Sequence, residues 1–358
     1  MRKNILVVIG SFNGGGAERV GISIANEYAN IANVFIYALN PEGVYKNEVE
    51  NSIKIISDKK RKASLSILHL SKALNTLDID EVFVSQSHLV GLCLIAKKLT
   101  FNSKKIKVVG REASIPSANM LDVKGFKRYI LKYLTRISYS NVDLLIAPTL
   151  EIKKDLVKYY NLSRDILVIP NPIDKDKIIE LSHKPVDDWF SNLQGKKIIA
   201  IGRLIPLKGF ENLIIAFSRL KERNISLTIL GEGPDKEKLI SVANKHNVQD
   251  RVFLPGFINN PFPYIKNSDL FVLSSFYEGM PNGLIQASVL GVKVVATNSE
   301  GGVRDMIKNK HLVPINDVPL LAQAIDDKLN DNPCNIFKNN ILLEPREFIN
   351  KLNLSLKD

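Results

Sequence analysis

The sequence predicts an α/β protein built from two Rossmann-like, doubly wound domains facing each other across an interdomain cleft. Short β-branched runs alternate with helical patterns along almost the whole chain, and such alternation specifies βαβ units around a parallel sheet. The rhythm is interrupted once, by Pro170-Asn171-Pro172 and a polar stretch running to Gly195, and then restarts. At 358 residues the chain is also too long for one ordinary core. Ligands in these sheets bind beyond the carboxyl ends of the strands, which is why a cleft between two such domains is the expected site.

In the first half, the run Ile5–Ile9 reads as a strand and Ala17–Ala29 as a helix. Asn33–Ala38 and Ile53–Ile56 follow as strands, then a helix near Ser66–Leu77, a strand Glu81–Ser85, a helix from Val90 and a strand Ile106–Val109. A basic helix near Val123–Ser138, a strand Asp143–Ile146, a helix Glu151–Tyr160 and a strand Ile166–Ile169 close this half. In the second half, strands are predicted at Lys197–Ile201, Leu227–Leu230, Val252–Leu254, Leu270–Leu273 and Val292–Ala296. Helices fit Phe210–Lys221, Lys236–Lys245, Gly283–Leu290 and Leu320–Leu329. The expected domains are therefore 1–172 and 195–334, joined by a linker over 173–194. A tail over 335–358 is expected to return as a helix onto the first domain.

Composition narrows the function. With 45% hydrophobic and 24% charged residues the chain is globular, not disordered. Cys93 and Cys334 stand far apart, which suits a reducing cytoplasm better than a disulfide framework. The first apolar run is too short for a secretory leader, and no run approaches a membrane span. A cytoplasmic protein, at most lying on a membrane, is expected. Residues 1–172 hold 25 lysines and arginines against 15 acidic residues, whereas the remainder holds 24 against 22. An anionic partner is expected to meet the first half. Aromatic–basic interleaving and nucleic-acid motifs are absent, so no nucleic-acid partner is expected.

Three segments carry candidate chemistry. Gly14-Gly15-Gly16 lies between the first strand and the first helix, where glycines allow close backbone approach and a helix N-terminus attracts anions. It is either a phosphate contact or a plain tight turn, and it lacks the Gly-x-Gly-x-x-Gly spacing of a dinucleotide site. Arg203 and Lys208 follow the strand ending at Ile201; they suit a diphosphate or form a solvated basic loop. Glu278, in Tyr277-Glu278-Gly279-Met280-Pro281-Asn282, can accept from sugar hydroxyls or serve as a helix N-terminal charge.

Together these segments resemble glycosyltransferase family 4, of the bacterial surface-polysaccharide type. The resemblance rests on Gly14-Gly15-Gly16-Ala17-Glu18-Arg19, Gly202-Arg203 with Lys208-Gly209, Gly231-Glu232-Gly233-Pro234, Glu278-Gly279-Met280-Pro281-Asn282 and Gly301-Gly302-Val303-Arg304-Asp305, in order. It implies the GT-B fold, a retaining mechanism, a nucleotide-sugar donor with UDP as its commonest base, and no metal or other cofactor. By the same resemblance, Arg203 and Lys208 hold the donor diphosphate. Glu278 and the amides of Gly279, Met280, Pro281 and Asn282 hold the sugar. Gly16 approaches the diphosphate, Gly15, Gly202 and Gly231 belong to the donor-binding set, and Gly256-Phe257 face the base. Where the family carries a second glutamate for the ribose, this chain has Gln286, an uncharged acceptor. Asp78-Ile79-Asp80 precedes a strand and is read as structural.

Acceptor residues are expected in the first half. His88 can touch substrate or cap the next helix. Glu112 can bond an acceptor hydroxyl or pair with Arg111 as a structural group. Lys124, Arg128, Lys132 and Arg136 recur every four residues as a basic stripe. That helix is either an ordinary amphipathic surface helix or a contact for anionic lipid or for a polyprenyl-diphosphate-linked glycan acceptor. Lys59-Lys60-Arg61-Lys62 can extend the same surface or be a solvated loop. The rivals to a hexosyltransferase are a non-hydrolysing sugar-nucleotide epimerase and a catalytically silent sugar-nucleotide-binding protein.

Overall fold

The structure, a computed structural model, describes residues 2–13, 15–57, 63–120, 123–331, 337–338 and 342–356. Gly14, the cluster Lys59-Lys60-Arg61-Lys62 and Cys334 lie outside the described residues. The chain divides into two compact units, Met1–Ile173 with Leu342–Asp358, and Asp174–Ile341.

The first unit runs β1 (Asn4–Ser11), α1 (Gly16–Ala29), β2 (Asn33–Asn40), β3 (Lys54–Ile56), α2 (Ala63–Thr76), β4 (Glu81–Val84) and α3 (Ser87–Lys98). It continues with β5 (Lys107–Arg111), α4 (Pro116–Asn119), α5 (Gly125–Asn141), β6 (Leu144–Ala147), α6 (Leu150–Tyr160) and β7 (Leu167–Val168). The strands form one parallel sheet in the order β3-β2-β1-β4-β5-β6-β7. Ile5 to Ile9 of β1 are all buried, as a central strand covered on both faces requires. Local signals set the helix ends. Thr149 accepts from the Ile152 amide at 3.2 Å to start α6, and Asn161 at φ 51° stops it.

The second unit holds α7 (Lys175–Leu181), α8 (Asp188–Ser191), β8 (Lys196–Ile201), α9 (Phe210–Ser218), β9 (Ile225–Leu230), α10 (Lys236–Lys245), β10 (Val252–Gly256) and α11 (Phe262–Lys266). Then come β11 (Leu270–Leu273), β12 (Tyr277–Glu278), α12 (Asn282–Val289), β13 (Lys293–Thr297), β14 (Glu300–Gly301), α13 (Val303–Met306), β15 (Leu312–Val313) and α14 (Val318–Asn330). Its parallel sheet has the order β10-β9-β8-β11-β13-β15, and β12 pairs separately with β14.

The stretch 173–194, expected as a linker, carries α7 and α8 and belongs to the second unit from Asp174 onward. Asp174 caps α7 through the Lys177 amide at 2.9 Å. Phe190 is fully buried, and Asp187 accepts from the Tyr264 hydroxyl at 2.6 Å. Trp189 stacks on Phe253 and Tyr264. Two aromatic anchors within a polar sequence thus pin what composition alone presents as a spacer. After the second unit, the chain re-enters the first. Ile173 donates to the Leu343 carbonyl at 2.8 Å, and α15 (Pro345–Ser355) buries Phe348, Ile349 and Leu352 against α1.

Candidate active site

In the second unit the strand order reverses between β8 and β11. In an open α/β sheet that switch point is where neighbouring loops part and a ligand fits. Glycines let the backbone close up around it. Gly231, at φ 144°, follows β9 so tightly that a Cβ there would meet the Gly202 carbonyl oxygen at 1.9 Å. Gly256, at φ 98°, would meet the Glu232 carboxylate at 2.3 Å. Backbone bonds tie the three strand ends together, Gly202 N to Leu230 O at 3.0 Å and Gly231 N to Gly256 O at 2.9 Å. Arg203, Glu232 and Phe257 are thereby set just beyond three adjacent strands. Arg203 and Phe257 are exposed, and the Arg203 side chain has no hydrogen-bond partner among the described residues.

Lys208 comes from the β8 side of the switch point and Glu278 from the β11 side. They meet, with Lys208 Nζ 2.6 Å from Glu278 Oε2. The lysine stem passes over Gly202, where a Cβ would sit 3.4 Å from Lys208 Cδ and Cε. Its loop is clamped to the end of β11 by Ser274 Oγ donating to Lys208 O at 2.8 Å and by Phe276 N donating to Leu207 O at 2.9 Å. Gly209, at φ 63°, leaves no room for a side chain against Ser274 O. Both charges are mostly sheltered, with side-chain exposures of 21% for Lys208 and 12% for Glu278. Shelter from water strengthens the interaction of each charge with a ligand that separates them. Glu278 is held by the β12–β14 ladder and by Gly302 N donating to Glu278 O at 2.9 Å. Gly301-Gly302 is visible in the sequence only as part of a motif, and the structure gives it this positioning role. Its signal was the glycine pair itself, of which Gly301 lies in β14 and pairs with Glu278.

The turn after Glu278 corrects one expectation. Pro281 carries no N–H and cannot offer an amide to a ligand. The Asn282 N–H donates to Met280 O at 3.0 Å. Pro281 instead precedes α12 and receives the amides of Leu284 and Ile285 at 3.0 and 3.2 Å. Met280 is buried, and Gly279 joins Glu278 in accepting from Gly302 N. Gln286 sits half-buried in the second turn of α12, its amide without a side-chain partner among the described residues.

In the first unit the order reverses between β1 and β4. Gly15 precedes α1 in extended backbone and Gly16 is its first residue. Across the switch point, Gln86 accepts from Gly10 N at 2.9 Å and donates to Glu18 at 2.7 Å. The Glu18 carboxylate lies over Gly15, where a Cβ would meet it at 2.2 Å. Gln86 was not singled out from sequence. It is also the residue before α3, so the exposed His88, in the helix's first turn, is not its cap.

Arg111 ends β5, Glu112 follows it, and both are buried. Glu112 Oε1 accepts from Ala113 N at 2.9 Å, Ser114 N at 3.1 Å and Ser114 Oγ at 2.9 Å, while Oε2 accepts from Tyr139 at 2.8 Å. Three bonds on Oε1 and one on Oε2 give Glu112 the geometry of a structural anchor, with one acceptor site of Oε2 left over. Burial pushes the Glu112 pKa up, against the pull of these hydrogen bonds. Arg111 bonds Asn171, and burial brings its pKa down to about 10. Asp80 is likewise structural, receiving Asn4 N at 3.0 Å and pairing with Lys105 at 3.0 Å.

The basic stripe is split. Lys124 and Arg136 are exposed, whereas Arg128 and Lys132 turn to Tyr159 of α6. Arg128 Nε lies 3.3 Å from its hydroxyl and Lys132 Nζ 4.5 Å above its ring.

Comparison with known proteins identifies the family. Residues 14–177 match the model described as Glycosyltransferase Family 4, and residues 185–342 match Glycosyl transferases group 1. An N-acetylgalactosamine-N,N'-diacetylbacillosaminyl-diphospho-undecaprenol 4-alpha-N-acetylgalactosaminyltransferase of Campylobacter jejuni is 28% identical over 338 residues, covering 91% of this chain and 90% of that protein. The lipopolysaccharide core biosynthesis glycosyltransferase LpsE of Rhizobium meliloti is 28% identical, covering 89% and 86%. An uncharacterized glycosyltransferase of Methanocaldococcus jannaschii is 37% identical over 186 residues, and that match spans 45% of its length. Among solved structures, Anabaena HepE in complex with UDP and glucose aligns with a TM-score of 0.81 at 18% identity over 100% of both chains. With the two models running from residue 14 to 342 and the GT-B fold shared, the chain belongs to glycosyltransferase family 4.

Proposed function

We propose that this enzyme moves a hexose or N-acetylhexosamine from a UDP-sugar, with retention at the anomeric carbon, to a polyprenyl-diphosphate-linked glycan in surface-polysaccharide synthesis. The observation that carries the donor half is the Lys208–Glu278 pair at 2.6 Å across the switch point, with unpartnered Arg203 beside it. As the anomeric C–O bond breaks, charge grows on the leaving diphosphate, and fixed cations opposite it lower the barrier. Lys208 exchanges its carboxylate contact for a phosphate oxygen, and Glu278 then accepts from sugar hydroxyls. Two cations supply the neutralisation, so the reaction needs no metal. A donor phosphate oxygen takes the acceptor proton, so no protein nucleophile is used. UDP as the base is supported by the HepE complex with UDP-glucose. The lipid-linked acceptor is supported by the names of two Campylobacter relatives that act on undecaprenol-linked glycans. That acceptor puts the enzyme at the inner face of the plasma membrane.

The test is a transfer assay with UDP-sugars and a polyprenyl-diphosphate glycan, with and without EDTA, the product's anomeric configuration read by NMR. An α-linked product from an α-donor, formed equally in EDTA, is expected. Inversion, EDTA sensitivity, or conversion of the UDP-sugar with no acceptor present would each overturn part of the proposal, the last in favour of an epimerase.

A further inference from the structure

The α5 helix presents the wrong face to water for an ordinary surface helix. Phe126, Tyr129, Ile130, Tyr133, Leu134 and Ile137 are all exposed, Phe126 at 78%, Tyr129 at 73% and Tyr133 at 63%. At about 100° per residue these six fall within one arc of roughly 140°. Lys127 borders that arc on one side and Arg136 on the other. The reverse side packs on α3 and α6 and holds the polar groups: Arg128 and Lys132 on Tyr159, and Tyr139 on Glu112. The usual apolar-in, polar-out arrangement is thus inverted.

We infer that this face is a docking surface for an anionic lipid bilayer, entered by its aromatic and aliphatic side chains and not merely attracted by its charges. This deepens the lipid-linked-acceptor reading, but the observation stands without it. Charge decides the occupant. α5 contains four cations and no acidic residue. Two copies packed face to face would set Lys127 and Arg136 against their like, with no carboxylate on the helix to pair them. An anionic headgroup layer neutralises them instead, while tyrosines at its rim keep their hydroxyls wet. Lysine and arginine at the edges of an apolar arc can extend to the headgroups as the centre sinks. The stripe that the sequence presents, Lys124-Arg128-Lys132-Arg136, cannot do this as a unit, because its two middle members are turned onto Tyr159.

The experiment is flotation of the whole protein with vesicles of phosphatidylcholine alone and with added phosphatidylglycerol, across a salt series. The expected result is binding to the anionic vesicles that persists in part at about 0.5 M salt, where exposed charges are screened. The combined variant Phe126→Ser, Tyr133→Ser, Ile137→Ser should lose binding by about tenfold or more. Its circular dichroism and its UDP thermal shift should stay as in the parent, which separates failure here from failure of the transferase assignment. In a Phe126→Trp variant, brominated lipid should quench emission beyond that of the native Trp189. Binding abolished by salt alone, or a serine variant that floats like the parent, would overturn insertion. No flotation with either vesicle would overturn the surface as a lipid site. Light scattering that shows a dimer lost in the serine variant would assign the face to a second copy.

Discussion

On the proposed function, Lys208 leaves its 2.6 Å contact with Glu278 for the donor phosphate, and Glu278 turns to the sugar. Lys208→Ala should lower transfer by about 10²-fold or more, since it removes a cation aimed at developing charge. Glu278→Ala should do likewise by releasing the sugar, and both variants should keep the parent's circular dichroism. Glu112 behaves in the opposite way. Glu112→Ala strands Tyr139 and the donors of residues 113–114, and should cost about 2–4 kcal/mol by denaturant melt. Glu112→Gln can keep the bonds by turning its NH2 to the tyrosine oxygen, and should retain both fold and transfer. A stable glutamine variant without activity would restore Glu112 to the acceptor chemistry. The pH trend has a fixed sign. Burial raises the Glu112 pKa in the folded state, so its charged form is disfavoured there. Its contribution to stability is greatest below the unfolded value of about 4.3 and falls as pH rises through the folded value. Glu112→Gln should therefore gain stability relative to the parent as pH rises above about 4. Gln286→Glu tests the ribose contact. It should tighten UDP by a few-fold, about 1 kcal/mol, through a charge-assisted bond, as calorimetry would show.

At the scale of elements, position comes from close backbone packing at the carboxyl ends of strands. Gly231→Ala would drive a Cβ into the Gly202 carbonyl at an unfavourable φ, costing about 2–4 kcal/mol. In a unit of this size that lowers the melting temperature by about 5–15 °C. What the sequence showed and what it hid follow the same division. The seven strands of the first sheet were legible because each is an apolar run flanked by helix patterns. The two-residue β12, β14 and β15 were not: β7 is as short but sits inside the apolar run Ile166–Ile169, whereas these three exist only through their neighbours. The helices α7 and α8 hid in polar composition, anchored by Phe190 and Trp189. In α5 the spacing of the cations was visible, but not which side faced the protein. Tyr159 and Tyr139 decide that, and both act through contacts across the fold.

For the whole molecule, the loops proposed to hold the donor were legible because they carry glycines whose spacing is dictated by backbone approach. The proposed acceptor side in the first unit carries no such backbone signature, so its residues rest on side-chain identity alone. Calorimetry of UDP and UMP with the parent and with Lys208→Ala tests the cationic pocket most directly. UDP should bind the parent about tenfold or more tightly than UMP does, and the variant should lose most of that difference while binding UMP as before. Equal preference for UDP in parent and variant would show that the diphosphate is held elsewhere.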